Sequence, residues 1–142
     1  MTYYRDLTRH AYAPHDESDG EMLNVGWPAP GHGCRTGIVD ERVVEALSVL
    51  SAGYDNQTRG IHPCGFCDTD RPVVLGGPAL ETEVWLGSAE IRVRGADGTL
   101  HTAPNLVIHY ITRHRYCPPE EFCRAAVRTA GTETSGQLTS AD

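Results

Sequence analysis

A pair of closely spaced cysteines is the first feature of this sequence whose residue types can do chemistry. Cys64 and Cys67 lie in the stretch RGIHPCGFCDTDRP (59–72), with Gly65 directly after the first of them. Two cysteines separated by two residues can both reach one ion from a tight turn, and zinc prefers four nitrogen or sulfur ligands in a tetrahedron. Gly65 relaxes that turn. The spacing therefore predicts one half of a zinc site.

Two histidines further along the chain supply the second half. His109 and His114 have the spacing H-x4-H, which lies inside the range of paired histidine ligands. A cysteine knuckle, then a β-hairpin, then a helix with the second ligand pair is the layout of a treble-clef-like zinc module. We therefore predict a Zn²⁺ ion bound by Cys64, Cys67, His109 and His114.

Helix geometry leaves the fourth ligand open. Residues five apart on an ideal helix are separated by about 140° around the axis, because the period is 3.6 residues. His114 can join the site only if the end of its helix tightens or unravels, and the segment Cys117-Pro118-Pro119 that follows favours such an irregular end. The alternative fourth ligands are His62, His32 and Cys117.

Two other chemistries of paired cysteines fit the sequence less well. A redox pair needs its first cysteine at a helix N-terminus, whereas CGFCDTDRP continues with acidic residues and a proline. The zinc-deaminase signature has half a match in HPCGFC and another in HDE at 15–17. Both halves resemble loops, whereas the deaminase chemistry needs them at facing helix starts.

A catalytic zinc with three protein ligands and an open fourth position is the broader alternative. Its metal ligands would come from His62, Cys64, Cys67 and His109. Glu90 or Asp68 would supply a nearby carboxylate, and His114 or Glu90 would lie near a small polar substrate. The simpler interpretation places Glu90 on the solvent face of a hairpin and makes Asn105 the N-cap of a helix.

The remaining cysteines and histidines have simpler interpretations. We expect Cys34 and Cys123 to be small buried hydrophobic residues, and we expect His10, His15 and His101 to lie on the surface. Five cysteines at uneven spacing do not form the pattern of a disulfide framework.

The elements that must position these residues follow from the apolar pattern. The sequence predicts a single α+β domain in which a small antiparallel sheet is built on a β-hairpin at 84–103. A short strand is expected at 21–27, and a long loop at 53–80 carries the cysteine knuckle. Three short helices flank the sheet, and they are predicted at 40–51 with Asp40 as N-cap, at 105–114 and at 118–128. We expect an irregular segment at 1–20, the zinc-binding domain at 21–128 and a disordered tail at 129–142.

Length and charge bound the class of protein. The chain has 142 residues and a net charge of −7, so it is long enough for one domain and lacks the basic surface of a nucleic-acid binder. It has neither an apolar run of about 20 residues, as spanning a bilayer requires, nor the pattern of a signal peptide. We predict a soluble cytoplasmic protein that binds neither nucleic acid nor membrane.

Four motifs carry a resemblance to a known family. In order, LNVGW, TRGIHPCGFC, LGSAEIRV and APNLVIHYITRHRYCPPEEF resemble a family of small uncharacterised bacterial proteins, a domain of unknown function, over roughly 22–127. The resemblance implies kinship and no activity. The family has a histidine before the cysteine knuckle and histidines on the later helix. The matching positions here, with the knuckle cysteines, are His62, Cys64, Cys67, His109 and His114. Around His32 the family is closer to HPFPTG, where this chain has HGCRTG.

Two functions follow as hypotheses. The first is a small soluble zinc-binding protein with a structural metal, acting through an interaction surface on an unknown protein or small-molecule partner. A closed Cys2His2 site leaves no position for an activated water. The second is a small zinc-dependent enzyme that acts on a small polar substrate, with a biosynthetic pathway as one setting and with Glu90 or His62 as candidate catalytic residues.

Overall fold

The fold combines three helices with two small β-sheets. The computed structural model describes residues 4–8, 22–31, 33–53, 64–67 and 72–140. In chain order the elements are β1 (Met22–Asn24), α1 (Glu41–Ser51), β2 (Val73–Gly76), β3 (Thr82–Trp85), β4 (Glu90–Arg94), β5 (Leu100–Pro104), α2 (Val107–His114) and α3 (Glu120–Ser140). The predicted α+β class is confirmed. His10, His15, His32, His62 and Asp68 lie outside the described residues.

The larger sheet has the order β1-β5-β4. Strands β4 and β5 form the predicted antiparallel hairpin, in register from Glu90↔Pro104 to Arg94↔Leu100. Strand β1 pairs with β5 in parallel, so the sheet is mixed and the predicted antiparallel sheet is wrong at this strand. A parallel pair needs a long crossover between its strands, and the local pattern of β1 carries no sign of its direction.

The smaller sheet is a second hairpin, formed by β2 and β3, with Val73 opposite Trp85 and Gly76 opposite Thr82. Strand β2 lies within the predicted loop at 53–80, so the loop prediction was wrong at Val73–Gly76. Each strand has only four residues, and the glycines and proline of the connecting turn dominated the pattern. Gly76 packs so closely on α1 that a Cβ there would collide with the carbonyl oxygen of Ser48.

The first two helices differ in how well their starts were predicted. Helix α1 begins after Asp40, whose carboxylate accepts the backbone N–H of Arg42 at 2.9 Å, as expected for an N-cap. Asn105 is not the N-cap of α2, because that position belongs to Leu106. The Asn105 Oδ1 instead accepts the backbone N–H of Gly87 at 2.7 Å, and this bond is buried.

Helix α3 is longer than the predicted helix at 118–128, since it is helical as far as Ser140. Its buried face is made largely of small side chains, among them Ala125, Ala126 and Ala130. Beyond Arg128 the helical sequence TAGTETSGQLTS has only Ala130 and Leu138 as apolar residues, so an apolar pattern could not extend the predicted helix. The domain boundaries at 20 and 128 stay predictions.

The core lies between the larger sheet and the helices. Its largest fully buried side chains include Leu47, Leu86, Ile91, Leu106, Ile108, Tyr110, Tyr116 and Phe122. Helices α1 and α3 pack against each other, and both contact β4. Within the described residues, no helix combines the length and apolar character that crossing a bilayer requires.

Candidate metal centre

The four predicted ligands meet in one cluster. The sulfurs of Cys64 and Cys67 and one ring nitrogen each of His109 and His114 all lie within 4.8 Å of one another. The Cys64 Sγ is 3.3 Å from the His114 Nε2, and the Cys67 Sγ is 3.4 Å from the His109 Nε2. With Zn–S near 2.3 Å and Zn–N near 2.0–2.1 Å, tetrahedral geometry separates sulfur and nitrogen ligands by about 3.5 Å. The two sulfur–nitrogen distances in the cluster therefore match those between ligands of one tetrahedrally coordinated ion.

The cysteine half of the cluster is a tight turn. The backbone N–H of Phe66 donates to the Cys64 Sγ at 3.4 Å, an interaction that favours a negatively charged sulfur. Burial has the opposite and larger effect, and it raises the pKa of the Cys64 thiol, with Cys67 contributing in the same direction. A bound cation offsets this by stabilising the thiolate, which is the form that ligates metals.

The end of α2 resolves the angular problem of two histidines five residues apart. The backbone N–H of Arg115 donates to the carbonyl of Tyr110, so the last turn closes over five residues instead of four and is wider than an α-helical turn. Arg115 itself is left-handed, with φ of 60°. The ring centroids of His109 and His114 are consequently 5.1 Å apart. The helix end widens here, where we had expected it to tighten or unravel.

Burial, and then local positive charge, favours the neutral form of both imidazoles. Burial lowers the pKa of His109, and the charges of His114 and Arg113 act in the same direction. Burial and Arg113 likewise lower the pKa of His114. A lowered pKa leaves each ring neutral at neutral pH, with a nitrogen lone pair available to a metal.

Aromatic rings enclose one side of the cluster. The ring of Phe66 meets Tyr110 edge-on at 5.8 Å and lies 5.4 Å from the His114 ring. Tyr110 is fully buried, and burial together with the two cysteines raises the pKa of its phenol. Cys64 and His109 are buried, whereas Cys67 and His114 are partly exposed.

Of the alternative fourth ligands, Cys117 is the one that lies within the described residues. Cys117 is outside the cluster, and its backbone N–H donates to the carbonyl of Arg35 at 2.9 Å. Its thiol contacts the carbonyl of Pro118 at 3.8 Å. His62, His32 and Asp68 lie outside the described residues, so their roles stay predictions.

Glu90 is not on a solvent face, and that expectation was wrong. Its side chain is buried, and the Oε1 atom accepts hydrogen bonds from Arg92 and from the Thr102 hydroxyl, both at 3.0 Å. Thr102 and Asn24 on adjacent strands are also fully buried, so this face of the hairpin is covered. The carboxylate of Glu90 is therefore committed to structural partners.

His101 was also misplaced by the sequence, which predicted a surface residue. It is 1% exposed and pairs across the hairpin with the buried Val93. The signal that could have found it is the hairpin register, because a residue opposite an inward-facing valine faces inward as well. The Nε2 atom of His101 lies 3.4 Å from the Glu121 carboxylate.

The two cysteines that we expected to be buried differ from each other. Cys34 is exposed, so that expectation was wrong. It lies in a segment of glycine and proline residues that packs little against the core. Cys123 is partly buried and packs against the core, and burial raises its pKa to about 11.

Comparison with known proteins gives a family and no activity. No curated protein and no solved structure matches the chain. The family model described as "Domain of unknown function (DUF7919)" matches residues 2–127. This span includes the cysteine knuckle, both sheets and α2, so it contains both halves of the metal-ligand cluster. The chain therefore belongs to the family described as a domain of unknown function, DUF7919.

Proposed function

We propose that this protein is a small zinc-binding protein whose metal is structural and which acts through an interaction surface. The observation that carries the proposal is the convergence of four ligand atoms, from Cys64, Cys67, His109 and His114, within 4.8 Å. Two thiolates and two neutral imidazoles form a donor set that zinc binds in structural sites.

The number of ligands supports a structural role. Four protein ligands complete a tetrahedron and leave no position for a water molecule that the metal could activate. An enzymatic site would need one ligand to leave and a carboxylate to take up a proton. Glu90, one of the candidates for that role, is held by Arg92 and Thr102.

In this position a bound metal would link two distant parts of the chain. The knuckle at 64–67 is joined by the cluster to the end of α2, more than 40 residues further along the chain. Cys64 and Tyr110 are both part of the hydrophobic core. Because such a site does not exist in the unfolded chain, the free energy of zinc binding, about 10–16 kcal/mol in zinc-finger peptides, adds to folding stability.

The hairpin of β2 and β3 is the surface that we propose for interaction. Val73, Leu75 and Trp85 are 40%, 60% and 43% exposed. Val73 and Trp85 are direct cross-strand partners, and Leu75 is on the same face two residues along. Adjacent exposed apolar side chains of this kind are typical of surfaces that contact other proteins, and aromatic residues are enriched at such contacts.

The proposal is tested by metal analysis of the purified protein. We expect stoichiometric zinc in the wild type, and we expect Cys64→Ser and His114→Ala to lose it. We also expect a chelator to lower the midpoint of thermal unfolding. Absence of stoichiometric metal from the wild type would overturn the proposal. A His114→Ala variant that keeps both zinc and the fold would instead indicate an open site and favour the enzymatic hypothesis.

A further inference from the structure

A second polar site lies between the turn of the β4–β5 hairpin and α3. It is a cavity of about 430 Å³ whose lining includes Gly95, Asp97, His101, Glu121, Arg124 and Arg128. It shares no residue with the metal-ligand cluster. Its volume falls in the range of pockets that hold small molecules.

His101 is the unusual member of this lining. Its Nδ1 atom is buried and has no hydrogen-bond partner among the described residues, whereas its Nε2 atom faces the Glu121 carboxylate. The ring of Phe122 meets the His101 ring edge-on, with the centroids 6.3 Å apart. Leaving a buried polar atom unpaired costs about 1–3 kcal/mol. An apolar residue would avoid this cost, so the presence of histidine calls for a role other than packing.

The Glu121 carboxylate favours one tautomer of His101. A carboxylate accepts hydrogen bonds, so it favours a proton on the Nε2 atom that faces it. In the neutral ring the Nδ1 atom is then an acceptor, and in the charged ring it is a donor. In either state this nitrogen has hydrogen-bonding capacity that the described residues do not use.

Two arginines give the cavity a positive rim. Arg124 and Arg128 are four residues apart on α3, so their side chains are neighbours on the helix surface. The Arg128 Nη2 donates to the carbonyl of Arg94 at 2.9 Å, which holds its guanidinium at the edge of the cavity. Arginine binds carboxylate and phosphate groups through paired N–H donors.

The acidic side chains of the cavity are already engaged. The Asp97 carboxylate accepts the backbone N–H of Thr99 at 3.0 Å, and this bond lowers the pKa of Asp97. Glu121 faces His101. Within the described residues Arg124 makes no ion pair. The Arg124 guanidinium is therefore not neutralised by a carboxylate of the described residues.

We propose that this cavity binds a small anionic metabolite. Its carboxylate or phosphate group contacts Arg124 and Arg128, and a second polar group of the same molecule contacts the His101–Glu121 pair. This proposal goes beyond the metal centre and does not depend on it, because the two sites share no ligand atoms.

The binding test uses two probes, inorganic phosphate and succinate, titrated into the ¹⁵N-labelled full chain and followed by amide chemical shifts. We expect saturable shifts confined to the segments 95–101 and 121–128, and the stronger probe distinguishes phosphate from carboxylate recognition. The double variant Arg124→Gln/Arg128→Gln should weaken binding by at least about tenfold, since each charge-assisted hydrogen bond contributes about 1.5–3 kcal/mol.

Arg5→Gln/Arg42→Gln is the matched control, because it removes the same two positive charges from exposed residues outside the cavity. It should leave binding unchanged. Absence of saturable shifts with both probes would overturn the proposal. Equal weakening by Arg5→Gln/Arg42→Gln and by Arg124→Gln/Arg128→Gln would also overturn it, since the effect would then be one of net charge.

His101→Phe separates a ligand-binding role from a structural one. If His101 serves a ligand, the variant should unfold at the same temperature or higher and bind the better probe more weakly. A lower unfolding temperature with unchanged binding would contradict the role of His101. Because both arginines are exposed, their variant tests the site even where His101→Phe does not fold.

Discussion

The metal-ligand cluster and the α3 cavity both contain a buried histidine, but the ring nitrogens of these histidines have different partners. In the cluster, the Nε2 atoms of His109 and His114 each face a cysteine sulfur, at 3.4 Å and 3.3 Å. In the cavity, His101 faces one carboxylate and keeps a buried nitrogen without a partner among the described residues. The first arrangement is complete once a single ion is bound, whereas the second still needs a hydrogen-bonding group.

Folding stability and ligand binding therefore depend on different regions of the molecule. A site whose ligands come from remote parts of the chain and close on one ion contributes to folding. A site that leaves a polar atom unpaired in the core lowers stability, and it is retained where the atom serves a ligand. Substitutions in the two regions should therefore affect stability in opposite directions.

The largest effect is expected at the metal centre. Cys64→Ser removes a thiolate ligand and should abolish stoichiometric zinc binding, with a loss of several kcal/mol of folding free energy because metal affinity adds to folding stability. Metal analysis and thermal unfolding followed by circular dichroism measure both effects. Cys34→Ser is the matched control, since Cys34 is exposed and lies outside the cluster. Equal zinc content in the two variants would remove the distinction between the regions.

A smaller loss is expected at Asn105, which sharpens the comparison with His101. Both residues have a buried nitrogen without a partner among the described residues, but the Asn105 Oδ1 also accepts the N–H of Gly87. Asn105→Ala leaves that N–H unpaired and should cost about 1–3 kcal/mol. Urea denaturation measures the change. A variant as stable as the wild type would mean that the Gly87 bond has no net value.

The smallest effect is expected at the end of α2. Arg115 has φ of 60°, a conformation that glycine adopts without strain, so Arg115→Gly should raise stability by about 0.5–1 kcal/mol. The same change at the exposed helical residue Arg113 should lower stability by about 0.5–1 kcal/mol. The midpoints of thermal unfolding of the two variants should therefore move in opposite directions. A shift in the same direction would argue against the left-handed cap that positions His114.

The metal centre was predictable because its signals are local. The spacing of Cys64 and Cys67 is a local signal for a shared ion, whereas the spacing of His109 and His114 left the fourth ligand open until the end of α2 was seen. The β4–β5 hairpin and α1 were predictable for the same reason, since alternation and an N-cap are properties of a few consecutive residues.

The errors came from features that depend on distant parts of the chain. The parallel pairing of β1 with β5 joins strands separated by most of the domain. The burial of Glu90 depends on neighbours from β1 and β5. His101 and Glu121 meet because α3 packs against β4, the hairpin partner of β5, and no spacing rule links a strand residue to a helix residue 20 positions away.

If four protein ligands complete the coordination of one zinc ion, X-ray absorption at the zinc edge of the purified protein should show all four. We expect two sulfur ligands at about 2.3 Å and two imidazole nitrogens at about 2.0–2.1 Å, with the outer-shell scattering of two imidazole rings. A shell with one imidazole and a water oxygen, or a protein without zinc, would contradict this coordination.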